Sequence, residues 1–400
     1  MPKPNVIGPQ KAVLVRSSSG AELDSTFPAP DDPSASDGVR PIPEREITSR
    51  DSHCPTIESA QTTFNSIPVN HFSTPVTSAY SSGGSNVNAP AHGSDGLAVL
   101  DFSNLELVCP INVDEINNRW LNAYIPIPGQ RLKEYPTNIS AFIYRILKSY
   151  AAVAVRGRGI PPFVHSSQML ALAASPALSV CLSLVRICDK PLPGSEGVAF
   201  DVLQREMDKL CELLGTYDDM SLLAAFQAHL IYAMVLFFQL SQGSTPFLRQ
   251  AMINLQSLAC ASSRCGLLCI TEQQGSRPRW EAWIVAEAKR RTLYTMYLFD
   301  SVLSAQDGLP TFLGTELQGL PAPANKAMWE AGARHEWEKV YNVYLTEQTG
   351  GLRIDELWPV PAGLGESDLV ERRDRVDRWL EGVDEFGIML YAVTSCTHGG

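Results

Sequence analysis

Apolar residues recur along most of this chain at the spacing of one helical face. In "NISAFIYRILKSYAAVAV", Ile139, Phe142, Ile143, Ile146, Leu147 and Tyr150 follow the i, i+3, i+4 rule, and Arg145, Lys148 and Ser149 fall on the other side. "VLQREMDKLCELL" carries the stripe Leu203, Met207, Leu210, Leu214, and "EWEKVYNVYL" carries Trp337, Val340, Tyr341, Tyr344. In the last segment the helical stripe is Val376, Leu380, Val383, Leu390. Breakers such as "GRGIPPF", "DKPLPGSEG", "SQGSTP", "DGLP", "GLPAPA" and "WPVPAGLG" separate the segments. No sustained period-two run of β-branched residues occurs. The pattern predicts an all-α fold with one large helical domain over residues 98–400.

One segment, "LLAAFQAHLIYAMVLFFQL" from Leu222 to Leu240, is about as long as a bilayer requires. Gln227, His229 and Gln239 interrupt it, no Lys or Arg flanks it closely, and Asp218 and Asp219 precede it. Polar groups at membrane depth are costly. A buried core helix is expected here, and no membrane partner.

The helical pattern stops short of the first hundred residues. Residues 1–97 are rich in Ser, Pro, Asn, Asp and Gly, as in "PAPDDPSASDG", and contain none of the seven tryptophans. Such a segment buries too little apolar surface to offset its ordering entropy, so it is expected to be disordered. Its start shows no apolar signal core or small-residue cleavage site, so a reducing compartment and free thiols are expected.

The 400-residue chain is 44% apolar and carries a formal net charge of −11. That charge disfavours wrapping nucleic acid, which depends on clustered Lys and Arg neutralising phosphates. No nucleophile elbow or phosphate loop is present. His335-Glu336 opens like a zinc-protease helix, but Lys339 stands where the second imidazole is needed. Cys260, Cys265 and Cys269 lie close together without any C-x-x-C pair, and with Cys181 and Cys188 they read as core thiols. No catalytic residue, metal site or cofactor is expected, and the chain is not expected to be an enzyme.

The stretch from Glu287 to Pro310, "EAKRRTLYTMYLFDSVLSAQDGLP", starts with Lys289, Arg290 and Arg291 and closes on a Gly308-Leu309-Pro310 turn. Glu287 lies one turn before both arginines, at ion-pair spacing. Asp300 is the single acid in the apolar run that follows Thr292. A carboxylate there needs a partner. Neither arginine of its own helix reaches round to it, so the partner should come from another element.

From Trp283 through Glu330 the chain resembles the middle regulatory domain of fungal binuclear zinc-cluster transcription regulators. The resemblance rests on Trp283, Glu287, Arg290, Arg291 and Asp300, then the turn residues Gly308 and Pro310. The Leu320-Pro321-x-Pro323 segment and the pair Trp329-Glu330 follow in the same order. Upstream, "ISAFIYRILKSYAAVAVRGRGIPPFVHSSQM" and "LLAAFQAHLIYAMVLFF" are similar to the same group, particularly members that control secondary-metabolite gene clusters. The resemblance covers about residues 100 to 400. It implies a nuclear transcription regulator acting through a helical regulatory domain. Its partners would be other transcription regulators or the transcription machinery, in homo- or heterodimers. In that family, six cysteines of an N-terminal module hold two zinc ions and the module contacts DNA. The first hundred residues here hold one cysteine, Cys54, so no zinc ligand carries over and direct DNA binding by this chain is not expected. Two other readings are a co-regulator that pairs with an intact zinc-cluster factor and a helical enzyme of a biosynthetic pathway.

Limited proteolysis checks the division of the chain. A protease should cut within residues 1–97 first and leave a resistant core beginning near Ala98. Resistance of the N-terminal segment would show that it is ordered.

Overall fold

A computed structural model describes residues 100–119, 125, 132–133, 135–170, 176–241, 245–347 and 350–398. The expectation of disorder over residues 1–97 lies outside them. Thirteen α-helices occur among the described residues. The first five are α1 (Val113–Asn117), α2 (Thr137–Arg156), α3 (Ser166–Leu170), α4 (Pro176–Leu184) and α5 (Glu196–Glu212). There follow α6 (Asp219–Phe238), α7 (Pro246–Arg264), α8 (Ile270–Gln273) and α9 (Trp280–Gln306). The chain ends with α10 (Lys326–Trp329), α11 (Arg334–Glu347), α12 (Glu366–Gly382) and α13 (Glu385–His398). The class is all-α. Strand content among these residues is two antiparallel pairs of two-residue strands, β1 (Leu107–Val108) with β3 (Leu268–Cys269) and β2 (Leu132–Lys133) with β4 (Thr311–Phe312). The described residues all belong to one compact unit, Pro90–Gly400.

The segment read as a core helix is α6. The Asp218 side chain caps it by accepting from the Ser221 N–H at 2.7 Å. From Leu222 to Phe238 it has no polar face, and neighbours cover it on all sides. It packs against α2, α4, α5, α7 and α9. It is long and apolar enough to cross a membrane, and 94% of its most apolar window is buried inside the fold. Its polar residues are satisfied internally. Gln227 donates to the Phe163 carbonyl at 2.9 Å and accepts from the Gln168 amide at 3.0 Å. His229 Nε2 lies 3.0 Å from the Ala251 carbonyl.

The amphipathic stripes of α2 and α5 face the core around α6, and that of α11 faces a second cluster with Trp283 and Trp329. Ile139, Ile143 and Leu147 of α2 are buried, as are Leu203, Met207 and Leu210 of α5 and Trp337 and Tyr341 of α11. Helix α2 ends on Gly157 at φ 60°, with Arg158 N–H donating to Val153 O and Gly157 N–H to Ala154 O. Those two bonds form a Schellman cap, whose left-handed residue glycine adopts without penalty.

The C-terminal stripe needs correction. Val376, Leu380, Val383 and Leu390 do not lie on one helix. Helix α12 stops at Gly382, Val383 is extended at ψ 155°, and α13 begins at Glu385. The break exists because Asp384 serves as a cap, its Oδ1 accepting from the Gly387 N–H at 3.1 Å.

Buried imidazoles make the fold sensitive to acid. Burial depresses the pKa of His229 to about 4, against a raising contribution from Ala251 O. His165 is also pushed to about 4 by burial. A depressed folded value means that the unfolded chain binds more protons between about pH 6.5 and 4, so stability is full above that window and falls as pH drops through it. Each imidazole should cost about 1.4 kcal/mol at pH 5.5 relative to pH 7.5. Urea midpoints at the two pH values should show the loss in the wild type. His229→Gln, which retains an N–H donor, should show a smaller one. An equal loss in both proteins would remove His229 as a cause.

Candidate functional site

Helix α9 carries most of the residues singled out in the sequence. Trp283 and Trp329 are buried and belong to one aromatic column. Ring centroids are 6.5 Å apart between these two, 5.5 Å from Trp283 to Trp337, and 4.8 Å from Trp329 to His165. Below this column sits a charged centre with no exposed side chain.

Glu287 is its hub. Its side chain has 0% exposure and lies between Arg290 and Arg291, at 2% and 0%. Oε2 accepts from Arg290 Nη2 at 2.7 Å, and Oε1 accepts from Arg291 Nε at 2.7 Å and from the Ala324 backbone N–H at 2.9 Å. Both oxygens are used. Burial pushes the carboxyl up, but Arg290, Arg291 and the Ala324 N–H outweigh it and hold Glu287 below the usual carboxylate range.

The guanidiniums carry the network outward. Arg290 Nη1 donates to the Leu267 carbonyl at 2.7 Å. Arg291 Nη1 donates to Asp384 Oδ2 at 2.5 Å, and its Nη2 to the Ala324 carbonyl at 3.3 Å. The Arg291 plane also lies over the Trp329 ring at 4.3 Å. Asp384 therefore caps α13 with one oxygen and binds Arg291 with the other. Glu287 and Asp384 offset the two guanidiniums, which makes burial tolerable; a third carboxyl group, Glu272, lies 3.9 Å from Arg290 Nη1, and burial pushes its pKa up.

The Leu320-Pro321-x-Pro323 segment runs beside this centre. Pro cannot donate, so its carbonyls must find donors elsewhere. Tyr294 Oη donates to Pro321 O at 2.6 Å, and Trp379 Nε1 donates to Pro323 O at 2.8 Å. Ala322 N–H and Ile354 N–H close a short ladder with Leu352 O and Leu320 O, each at 2.8 Å.

Asp300 stands apart from that centre. Its partner is Arg119, from the segment just after α1, with Nε to Oδ2 at 3.0 Å. Arg119 also donates to Glu316 Oε1 at 2.8 Å and to the Phe312 carbonyl at 3.0 Å, and it lies 4.2 Å from the Tyr297 ring centroid. Tyr297 Oη donates to the same Glu316 oxygen at 2.7 Å. The Asp300 side chain keeps 22% exposure. Gly308, at φ 66°, is the left-handed residue of a Schellman cap, with Leu309 N–H to Ser304 O at 2.8 Å and Gly308 N–H to Ala305 O at 3.3 Å. Pro310 then leads the chain into β4.

Lys289, the third cation of the sequence cluster, is buried, and its ammonium has no hydrogen-bond partner among the described residues. Burial holds its pKa below the ordinary lysine value, against opposing pulls from Asp219, Cys265 and Cys109. Cys181, Cys188, Cys260 and Cys269 are buried free thiols and Cys265 is half-buried. Among the described residues no three His, Cys, Asp or Glu side chains gather as a metal ion requires.

The structure thus joins Trp283, Glu287, Arg290, Arg291 and Trp329 in one assembly, and places Asp300, Gly308 and Pro310 in a second one. The partners Asp384, Ala324, Leu267 and Arg119 were not read from the sequence. Asp384 alone carries a local signal, as an acid directly ahead of Glu385 at a helix start. Chemically Glu287 and Asp384 are saturated: each of their carboxylate oxygens is occupied, so they fix segments.

Substitutions should rank these two carboxylates. Glu287→Gln leaves two buried guanidiniums under-neutralised and should cost about 3–5 kcal/mol. Asp300→Asn should cost about 1 kcal/mol or less, because the acid is partly exposed and Arg119 keeps Glu316. Urea unfolding measures both, and the reverse ranking would displace Glu287 as the hub. No protein-family model, curated protein or solved structure matches this chain.

Proposed function

We propose that this chain is a transcription regulator that works through its helical region and controls a biosynthetic gene cluster of secondary metabolism. The observation that supports this reading is convergence. Trp283, Glu287, Arg290, Arg291 and Trp329, which carry the resemblance to zinc-cluster regulatory domains, meet in one buried centre of an all-α unit. Gly308 and Pro310 close the same long helix. On this reading the chain acts in the nucleus, with other regulators or the transcription machinery as partners, as a homo- or heterodimer. These 400 residues are acidic, at −11, and hold no recognisable six-cysteine cluster, so they are not expected to make the sequence-specific DNA contact by themselves.

Two measurements test the reading. The full chain is fused to a DNA-binding domain of known site, and reporter output is compared with that domain alone at matched protein levels. A change in either direction is expected, and no change would overturn the regulatory assignment. The unfused chain should show no sequence-dependent gel shift at physiological salt. A nanomolar, sequence-dependent shift would show that these residues contact DNA directly.

A further inference from the structure

A cleft of about 640 Å³ opens between the N-terminal half of α2 and the C-terminal end of α9. Its volume lies within the range of small-molecule sites. The two helices face each other there with small residues, Ala141 and Ala305, both exposed. Larger side chains at these positions would fill the space. Ile143 and Val302 form an apolar floor, 1% and 8% exposed. Tyr144 forms a wall and is held edge-on to Phe238, with centroids 5.0 Å apart. At one end two hydroxyls meet, Tyr135 Oη and Ser301 Oγ, at 3.4 Å.

Charge distinguishes this cleft. The chain as a whole is acidic, yet no described residue lining the cleft is Asp or Glu. Arg145 and Lys148 line it one turn apart on α2, exposed and without an ion-pair partner among the described residues. Lys148 lies 5.9 Å from the Tyr144 ring centroid, so its ammonium stands over the aromatic wall. Lys133 approaches the hydroxyl end, donating to Tyr135 Oη at 3.3 Å. The nearest acids on α9 are already engaged, Asp300 by Arg119 and Asp307 by Arg249.

We propose that this cleft binds a small organic acid with an apolar body. The body occupies the Ile143–Val302 floor against Tyr144, the anion faces Arg145 and Lys148, and a polar substituent at the far end reaches the Tyr135 and Ser301 hydroxyls. A cation of the same shape is disfavoured, because it would place like charge beside the Arg145 guanidinium and the Lys148 ammonium. Binding here goes beyond the regulatory reading and does not require it, since it is measured on the purified chain without DNA.

The probe is 8-anilinonaphthalene-1-sulfonate, an apolar aromatic anion, titrated by fluorescence into the full chain. Saturable binding to one site is expected, displaced by laurate and not by dodecyltrimethylammonium. Ala141→Trp and Ala305→Trp should each abolish saturable binding by filling the cleft. Arg145→Glu with Lys148→Glu should weaken it about tenfold or more, equivalent to about 1.4 kcal/mol. All four positions are exposed, and melting curves should confirm that the variants remain folded. The absence of saturable binding, equal displacement by the ammonium surfactant, or insensitivity to both tryptophan variants would overturn the proposal.

Discussion

The fold is organised around a carboxylate that water does not reach. Glu287 sits between two guanidiniums, and every one of its acceptor sites faces a donor. In a low-dielectric interior an unpaired charge costs several kcal/mol, so this arrangement tolerates no loose member. The consequence reaches beyond the ion pairs. To satisfy Arg290 the chain must bring Leu267 O into place, and to satisfy Arg291 it must bring Ala324 and Asp384. Three segments distant in sequence are thereby fixed against one helix. Apolar packing alone is non-directional, and it would hold the same segments together without setting their register.

That helix works as a frame because its two halves solve different problems. Near its N-terminus it meets the aromatic column, where Trp283 and Trp329 shield the Glu287 centre from water. Thirteen residues on, which is about 20 Å along an α-helix, Asp300 joins the Arg119 assembly. Between them Tyr294 reaches the Pro321 carbonyl, so the proline-rich segment is gripped from both sides. The Schellman turn at Gly308 then redirects the chain into β4, beside the Phe312 carbonyl that Arg119 also binds. Most polar groups buried along the frame are partnered, with Lys289 Nζ and Trp280 Nε1 as exceptions. Burial explains the depressed pKa of Lys289; it does not explain why a lysine occupies that position.

What could be read from the sequence follows from distance along the chain. The pairs Glu287–Arg290 and Glu287–Arg291 span three and four residues, so helical geometry alone brings them together. The burial of Leu203, Met207 and Leu210 follows from the same periodicity. Asp384 is 93 residues from Arg291 and Arg119 is 181 from Asp300, and no local rule connects them. The apolar spacing of the C-terminal stripe continues across Val383 while the helical backbone does not. A capping interaction interrupts a helix without disturbing the hydrophobic pattern on either side. Lys289, Arg290 and Arg291 show the complementary limit. A cluster of cations reads as a solvated face, yet here the helix is buried all round, and two of the three are retained by carboxylates.

The treatment of charge therefore differs between the interior and the α2–α9 cleft. Inside, the three enclosed arginines, Arg119, Arg290 and Arg291, each meet at least one carboxylate, which offsets the cost of enclosing a charge; Lys289 is the enclosed cation without one among the described residues. At the cleft, Arg145 and Lys148 remain hydrated and need no partner for folding. Removing them would not loosen the core, and keeping them does not strengthen it. The space beside them is a different matter. Ala141 and Ala305 leave open the volume between the two helices that a leucine or methionine would occupy. A larger side chain there would add packing contacts that the two alanines do not make, so the cleft is space that folding leaves unfilled. A ligand that covers the floor and neutralises the rim would bind the folded chain and not the unfolded one, and would raise stability in proportion to its occupancy.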